Sequence, residues 1–127
     1  LAELRAALRP LPGEGPFATV KRACLGIARS YAADRTRLLA QWRIVQREPA
    51  LVGRELELDR PSEDAIFRAF LRGDDADASR RRARVRAAAV VGAIRATLRD
   101  WLEGGADADL ARLGQETFAE LEAGLRD

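Results

Sequence analysis

Apolar residues recur at steps of three and four along most of this 127-residue chain. In the clearest case they form one continuous stripe, made by Phe17, Val20, Cys24, Ile27 and Tyr31. This period matches the 3.6 residues of a helical turn and differs from the two-residue alternation of a half-buried strand. Alanine, leucine, arginine and glutamate, all strong helix formers, dominate the rest of the sequence. The pattern therefore predicts an all-α domain.

The breaks between these stripes predict about six helices. Their expected bounds are residues 1–9, 17–33, 35–47, a fourth stretch between 51 and 71, 79–103, and a last helix after 107. Asp34 and Asp107 are expected to cap the third and last helices, and Ser79 is expected to open the fifth. The pair Gly104 and Gly105 is expected to end the fifth helix.

Proline 61 divides the fourth stretch. Apolar residues lie on both sides of it, at Leu51, Val52 and Leu56 before it and at Ile66, Phe67, Phe70 and Leu71 after it. Either Pro61 kinks a single helix, or a second helix begins there with Asp59 as its cap. The sequence leaves both arrangements open.

The composition argues against several classes of function. The chain contains no histidine, which removes the commonest general base near neutral pH and the commonest zinc ligand. Its single cysteine, Cys24, permits no internal disulfide and is typical of a reducing cytoplasm. A formal net charge of +2 gives little long-range attraction to nucleic acid. We therefore expect a cytoplasmic binding domain without catalytic activity, metal, cofactor or membrane span.

The helix expected at residues 79–103 has two apolar faces. The bulky face comprises Val90, Ile94, Leu98 and Trp101, and the small-residue face comprises Val85, Ala89, Gly92, Ala93 and Ala96. A surface helix with one core contact carries a single apolar stripe. Two interpretations stay open: both faces are buried inside a larger helical monomer, or the small-residue face lies between two copies of the chain.

Two segments of the chain resemble a known family. Residues 87–125, AAAVVGAIRATLRDWLEGGADADLARLGQETFAELEAGL, are similar to the carboxy-terminal helical hairpin of tetracycline-repressor-like (TetR) regulators. The branch they resemble most contains the mycofactocin-system regulators. Residues 38–57, LLAQWRIVQREPALVGRELE, also fit that branch, with a long helix followed by a Glu-Pro break. The resemblance covers residues 38–125.

The resemblance implies the architecture of the domain. It predicts a TetR-type effector-binding and dimerisation domain over residues 1–127, with about six helices. The last two would form a four-helix bundle with their copies in a homodimer. DNA would be bound only through a helix-turn-helix module in a separate amino-terminal portion of a bacterial regulator. Because the chain begins at Leu1 and contains no methionine, we expect that module upstream of it.

The resemblance also implies where the sites lie. A small hydrophobic or acyl-coenzyme A-like effector would sit where the third, fourth and fifth helices meet. The expected ligand-binding residues are Leu38, Trp42, Val45, Phe67, Phe70, Ile94 and Leu98. Such a stripe either lines a pocket or simply fills the core. The expected dimer interface comprises Ala89, Gly92, Ala93, Ala96, Leu113, Thr117 and Leu121.

Arginines crowd the start of the fifth helix, at positions 80, 81, 82, 84 and 86. Positive charge near a helix start opposes the helix dipole, and like charges four residues apart repel. Either the neighbouring Asp74, Asp75 and Asp77 compensate these charges on a solvated surface, or the arginines bind an anionic effector. The alternative for the whole chain is a helical adaptor or anti-factor that uses its small-residue face on a different protein and binds no small molecule.

Overall fold

Six helices, connected by short turns, make up the protein. The computed structural model describes residues 1–124, with the side chains of all of these except residues 49 and 51–59. The helices are α1 (Ala2–Ala7), α2 (Pro16–Ala33), α3 (Arg35–Arg47), α4 (Pro49–Leu71), α5 (Asp77–Glu103) and α6 (Leu110–Glu122). The described residues contain no strand, so the prediction of an all-α fold with six helices is confirmed.

Helix α2 lies at the centre of the bundle, where it packs against α1, α3, α4 and α6. Helix α5 packs along α4 on one side and α6 on the other. The first hydrophobic cluster joins these elements, and its fully buried members include Val20, Ile66 and Phe118. The edge of the Phe17 ring meets the ring of Phe118 with 5.9 Å between centroids, which fixes α2 against α6.

A second, smaller cluster closes the other end of α5. Trp101, Ala106 and Leu110 form its buried centre, and Leu38 and Leu98 pack against it. The apolar stripe predicted on α2 faces the core only in part. Its last residue, Tyr31, is 37% exposed, whereas Thr19 and Ala23, which lie outside the stripe, are buried. Neighbours on several sides of α2 explain this difference, since a central helix is covered on more than one face.

Helix α4 runs without interruption through Pro61. Of the two arrangements left open by the sequence, the structure has the single helix. Pro61 is exposed, and a proline within a helix leaves one backbone carbonyl without its N–H partner. The expected inward positions Leu51, Val52 and Leu56, the expected cap Asp59, and Leu125 of the last helix lie outside the described side chains.

Two expected caps are wrong, and one helix starts earlier than expected. Asp34 occupies the cap position of α3, but its carboxylate accepts hydrogen bonds from the Arg37 guanidinium and caps no backbone N–H. The cap of α6 is Asp109, whose Oδ1 accepts from the backbone N–H of Arg112 at 3.3 Å, and not Asp107. Helix α5 begins at Asp77, two residues before Ser79, whose hydroxyl bonds Asp74.

The turn between α5 and α6 explains why Asp109 replaces Asp107 as the cap. Gly105 and Ala106 both adopt positive φ, at 80° and 58°, which ends α5 as the glycine pair predicted. The backbone N–H of Ala106 returns to the carbonyl of Trp101, and the Ala106 methyl is buried. These bonds carry the chain past Asp107 before the next helical turn can form.

Candidate functional site

Helix α5 carries both surfaces that the sequence singles out. On its bulky face Val90 and Trp101 are buried, and Ile94 and Leu98 are half-buried against the two clusters. This face is therefore the one that α5 turns toward its own chain.

The expected ligand-binding residues divide between the two clusters. Phe70 is buried in the first cluster, with Phe67 and Ile94 packed against it. Leu38 and Leu98 pack instead against the second cluster, around Trp101. The structure therefore brings five of the seven expected residues to two neighbouring clusters and not to one point.

The last two of the seven, Trp42 and Val45, are half-buried on α3. No described residue of α3 is fully buried, and Ile44 on the same helix is 56% exposed. Helix α3 packs against α4 and α2. It is thus the least buried of the long helices whose side chains are described, and the one whose displacement would expose the least core.

The positive charges at the start of α5 interact with acidic side chains on one side and with an aromatic ring on the other. Arg80 forms an ion pair with Asp75 at 3.2 Å. The guanidinium groups of Arg80 and Arg84 both lie over the ring of Phe67, at 5.5 and 5.6 Å from its centroid. Such contacts are electrostatically favourable for a cation. The acid-paired interpretation therefore holds for Arg80, while the arginine run also meets an expected ligand-binding residue.

Asp74 organises the turn before this helix. Its carboxylate accepts hydrogen bonds from the Ser79 hydroxyl at 2.7 Å and from the Ala76 backbone N–H at 3.1 Å. These bonds, with the charge of Arg82, lower the pKa of Asp74 below its usual value. Asp74 thus keeps its negative charge beside the arginines over the whole neutral range.

The small-residue face of α5 is open. Val85 is 65% exposed, and Ala89, Gly92 and Ala96 are exposed as well, while Ala93 is half-buried. Apart from the neighbouring residues and backbone of its own helix, a methyl group built on Gly92 would meet no described atom within 4 Å. The described residues therefore leave this face uncovered, so this part of the fold does not itself bury both faces of α5.

The three α6 residues of the expected interface contact their own chain on one side. The Thr117 and Thr97 hydroxyls are 2.6 Å apart and join α6 to α5. Leu121 packs against the first cluster and Leu113 against the second. All three are half-buried, so each also keeps part of its surface outside the cores.

A polar network around the buried Thr19, near the start of α2, was not predicted from the sequence. Glu14 accepts hydrogen bonds from the Leu11 N–H, the Thr19 hydroxyl and the Arg22 guanidinium, and Arg22 also donates to the carbonyl of Arg9. The guanidinium, with the Thr19 hydroxyl, lowers the pKa of Glu14 to about 2. Arg72, at the end of α4, donates to Thr19 at 3.0 Å. No local pattern indicates that Arg72 meets Thr19, because the rest of α2 and all of α3 and α4 separate them in sequence.

Two open grooves are formed by described residues. One, of about 390 Å³, lies between α1 and the end of α4, and the other, of about 230 Å³, lies between α3 and the turn after α5. Neither groove is lined by any of the seven expected ligand-binding residues. Both have arginines at their edges, which the sequence analysis did not single out.

The described residues contain few side chains placed to hold a metal ion or to act as a nucleophile. No group of three acidic or cysteine side chains among them is placed to hold a metal ion. Burial raises the pKa of the Cys24 thiol to about 12, which leaves it protonated and unreactive near neutral pH. No helix in the part of the chain that the structure describes is long and apolar enough to cross a membrane.

Comparison with known proteins gives one finding. A family model described as the MftR C-terminal domain matches residues 14–126. The match covers both the α5–α6 hairpin and the α2–α4 region that surrounds the expected effector site. Comparison with curated proteins and with solved structures found no match.

Proposed function

Because this chain belongs to the MftR C-terminal domain family of TetR regulators, we propose that it is the effector-sensing and homodimerising domain of a bacterial transcriptional regulator. Effector binding changes the affinity for DNA of a helix-turn-helix module carried elsewhere in the regulator, which acts in the cytoplasm. The chain itself performs no chemical step. The observation that carries this proposal is the open small-residue face of α5 beside α6.

The exposed small-residue face of α5 supports the proposed dimer. Val85, Ala89, Gly92 and Ala96 form an exposed apolar strip with no bulky side chain except Val85. Small residues let two helices approach closely, and exposed apolar strips of this kind are typical of interaction surfaces. Thr117 and Leu121, half-buried on the adjacent α6, extend the strip. Pairing α5 and α6 with their copies gives a four-helix bundle.

The weak burial of α3 supports the proposed position of the effector site. A ligand that enters beside Trp42 and Val45 displaces α3, which has no fully buried described residue. Displacing α3 therefore costs less free energy than separating α2 from α6, since both of those helices carry buried residues. Leu38 and Leu98 at one end, and Phe67, Phe70 and Ile94 at the other, supply apolar walls. We infer that the effector is a small hydrophobic or acyl-coenzyme A-like molecule.

The arginines on Phe67 suit the anionic part of such an effector. Arg80 and Arg84 share that ring, and Arg80 also pairs with the exposed carboxylate of Asp75. Exposed ion pairs contribute little to stability, so a phosphate displaces Asp75 at small cost. An effector shifts the regulator only by binding its two conformations with different affinity.

The first experiment measures the mass of the domain in solution by light scattering at several concentrations. We expect a dimer of the 13.9 kDa chain. Replacing Ala89 with Glu puts a charge on the small-residue face and is expected to yield a folded monomer. The matched control is Ala18→Glu, an equally exposed alanine on α2, which should remain dimeric. A monomeric wild-type chain would contradict the proposal and favour the adaptor alternative, in which a different protein covers this face.

The second experiment titrates palmitoyl-coenzyme A and follows thermal unfolding. Trp42→Ala is expected to abolish the ligand-induced increase in the midpoint. Ile44→Ala, on the same helix but 56% exposed, is the matched control and should retain the increase. An equal response of both variants would contradict the assignment of Trp42 to the effector site.

A further inference from the structure

The groove between α1 and the end of α4 combines an apolar floor with a cationic edge. Leu8, Ala65 and Ala69 provide the floor, and Leu8 is only 8% exposed. Arg5, Arg68 and Arg72 stand around it. At about 390 Å³ the groove is within the size range of small-molecule sites. We propose that it binds a small anionic amphiphile, a carboxylate or phosphate group on a short apolar stem.

The charges at the groove edge are poorly neutralised by the protein. Among the described residues no acidic side chain pairs with Arg5. Arg68 pairs with Asp64 at 3.2 Å, but both side chains are more than half exposed, so water screens this pair strongly. Among the described residues, the pair with Asp64 is therefore the one direct ion pair that these three arginines make. An anion that binds here gains charge-assisted hydrogen bonds without breaking a strong ion pair.

Arg72 is held in position before any ligand arrives. Its backbone is left-handed, with φ of 49°, at the end of α4. Its guanidinium donates to the hydroxyl of Thr19, a residue only 1% exposed. Thr19 in turn donates to Glu14, which also binds Arg22. Because this chain of bonds fixes the Arg72 side chain, a ligand that binds it loses less side-chain entropy on binding.

The apolar floor determines what kind of anion fits. The groove is lined by Leu8 and Pro10, which follow α1, and by Ala65 and Ala69 of α4. The small alanine side chains leave space between these two segments. A bare anion would leave this floor in contact with water, whereas an apolar stem covers it. None of the seven lining residues belongs to the proposed effector set, so this site goes beyond the proposed function.

The test titrates the full chain with octyl phosphate and octanoate, with octanol and inorganic phosphate as the two partial probes, and follows binding by NMR shifts and calorimetry. The two amphiphiles distinguish a phosphate from a carboxylate ligand. We expect at least one of them to bind with shifts at Leu8, Ala65 and Ala69, and each partial probe to bind at least about tenfold more weakly. Equal binding of octanol, or of inorganic phosphate, would overturn the proposal.

Variants separate this groove from the proposed effector site. The double variant Arg5→Gln with Arg68→Gln is expected to weaken the amphiphile about tenfold or more, and Arg5→Gln alone to weaken it less. The matched control, Arg81→Gln with Arg86→Gln, removes the same charge from exposed positions of α5 and should bind normally. If Trp42→Ala abolished binding while the groove variants retained it, the amphiphile would occupy the effector site. That result would overturn this inference and leave the proposed function standing.

Discussion

The indole N–H of Trp101 donates a hydrogen bond to the carbonyl oxygen of Ala108, with 3.0 Å between nitrogen and oxygen. Trp101 is 2% exposed, and its ring forms the centre of the second cluster with Ala106 and Leu110. The Trp101 side chain therefore ties the end of α5 to the turn and to the start of α6. The α5–α6 hairpin, on which the proposed dimer depends, relies on this contact.

Replacing Trp101 with Phe is expected to lower the free energy of unfolding by about 1–3 kcal/mol, because the hydrogen bond and part of the buried ring are lost. Urea unfolding followed by circular dichroism, at one fixed protein concentration, measures this change. Trp42→Phe is the control, and since Trp42 is half-buried we expect a loss below about 1 kcal/mol. Equal losses would show that the Trp101 contact has no special weight.

Gly114 marks the close approach of α6 to α2. A methyl group built there would lie 3.0 Å from Cδ2 of Leu25, which is buried. Gly114→Ala should therefore destabilise the protein, since overpacking costs about 1–3 kcal/mol and exceeds the gain of about 1 kcal/mol in helix propensity. Gly26→Ala, on α2 with nothing within 4 Å of the new methyl, should instead stabilise it by up to about 1 kcal/mol. Chemical unfolding of the two variants gives the comparison, and a stabilised Gly114→Ala would contradict the packing argument.

Glu14 makes stability depend on pH in the acid range. Its pKa is lowered from 4.5 to about 2 in the folded chain, chiefly by the hydrogen bond from Arg22. The stabilisation is therefore complete above pH 4.5, decreases as the pH falls toward 2, and is absent below that. The thermal midpoint of Glu14→Gln should lie below that of the wild type at pH 7 and approach it near pH 2. A gap that stayed constant from pH 7 to pH 2 would contradict an ionised Glu14 in the folded state.

Cys24 should react with iodoacetamide only when the chain unfolds. Burial raises the pKa of its thiol from 9.0 to about 12, so at pH 8 the thiolate fraction is about a thousandfold lower than in an unfolded chain. Mass spectrometry of the alkylated chain, with and without denaturant, checks this. Fast labelling of the native protein would contradict the packing of Cys24 against the first cluster.

The exact caps and the continuity of α4 could not be obtained from local patterns. Asp34, Asp107 and Asp109 all carry side chains that cap helices well, and only the folded turn decides which of them meets a free backbone N–H. In the same way, Pro61 is compatible with a kink or a break, and the packing of α4 along α5 favours one continuous helix.

By itself the sequence determined the helices and the family. The three- and four-residue recurrence of apolar side chains predicted six helices, because helical period is a local property that each segment carries alone. The spacing within residues 38–125 likewise carried the resemblance that the family match confirms. It also separated the bulky face of α5 from the small one.

Tertiary structure decided which residues meet. It divided five of the seven expected ligand-binding residues between two clusters and left the small-residue face open. It also joined Glu14, Thr19 and Arg72 across 58 positions of sequence, from 14 to 72. Contacts of this kind depend on how helices pack against one another, and packing is set by the shapes of distant side chains acting together. Local helix propensity does not depend on those distant partners, so only the folded structure identifies them.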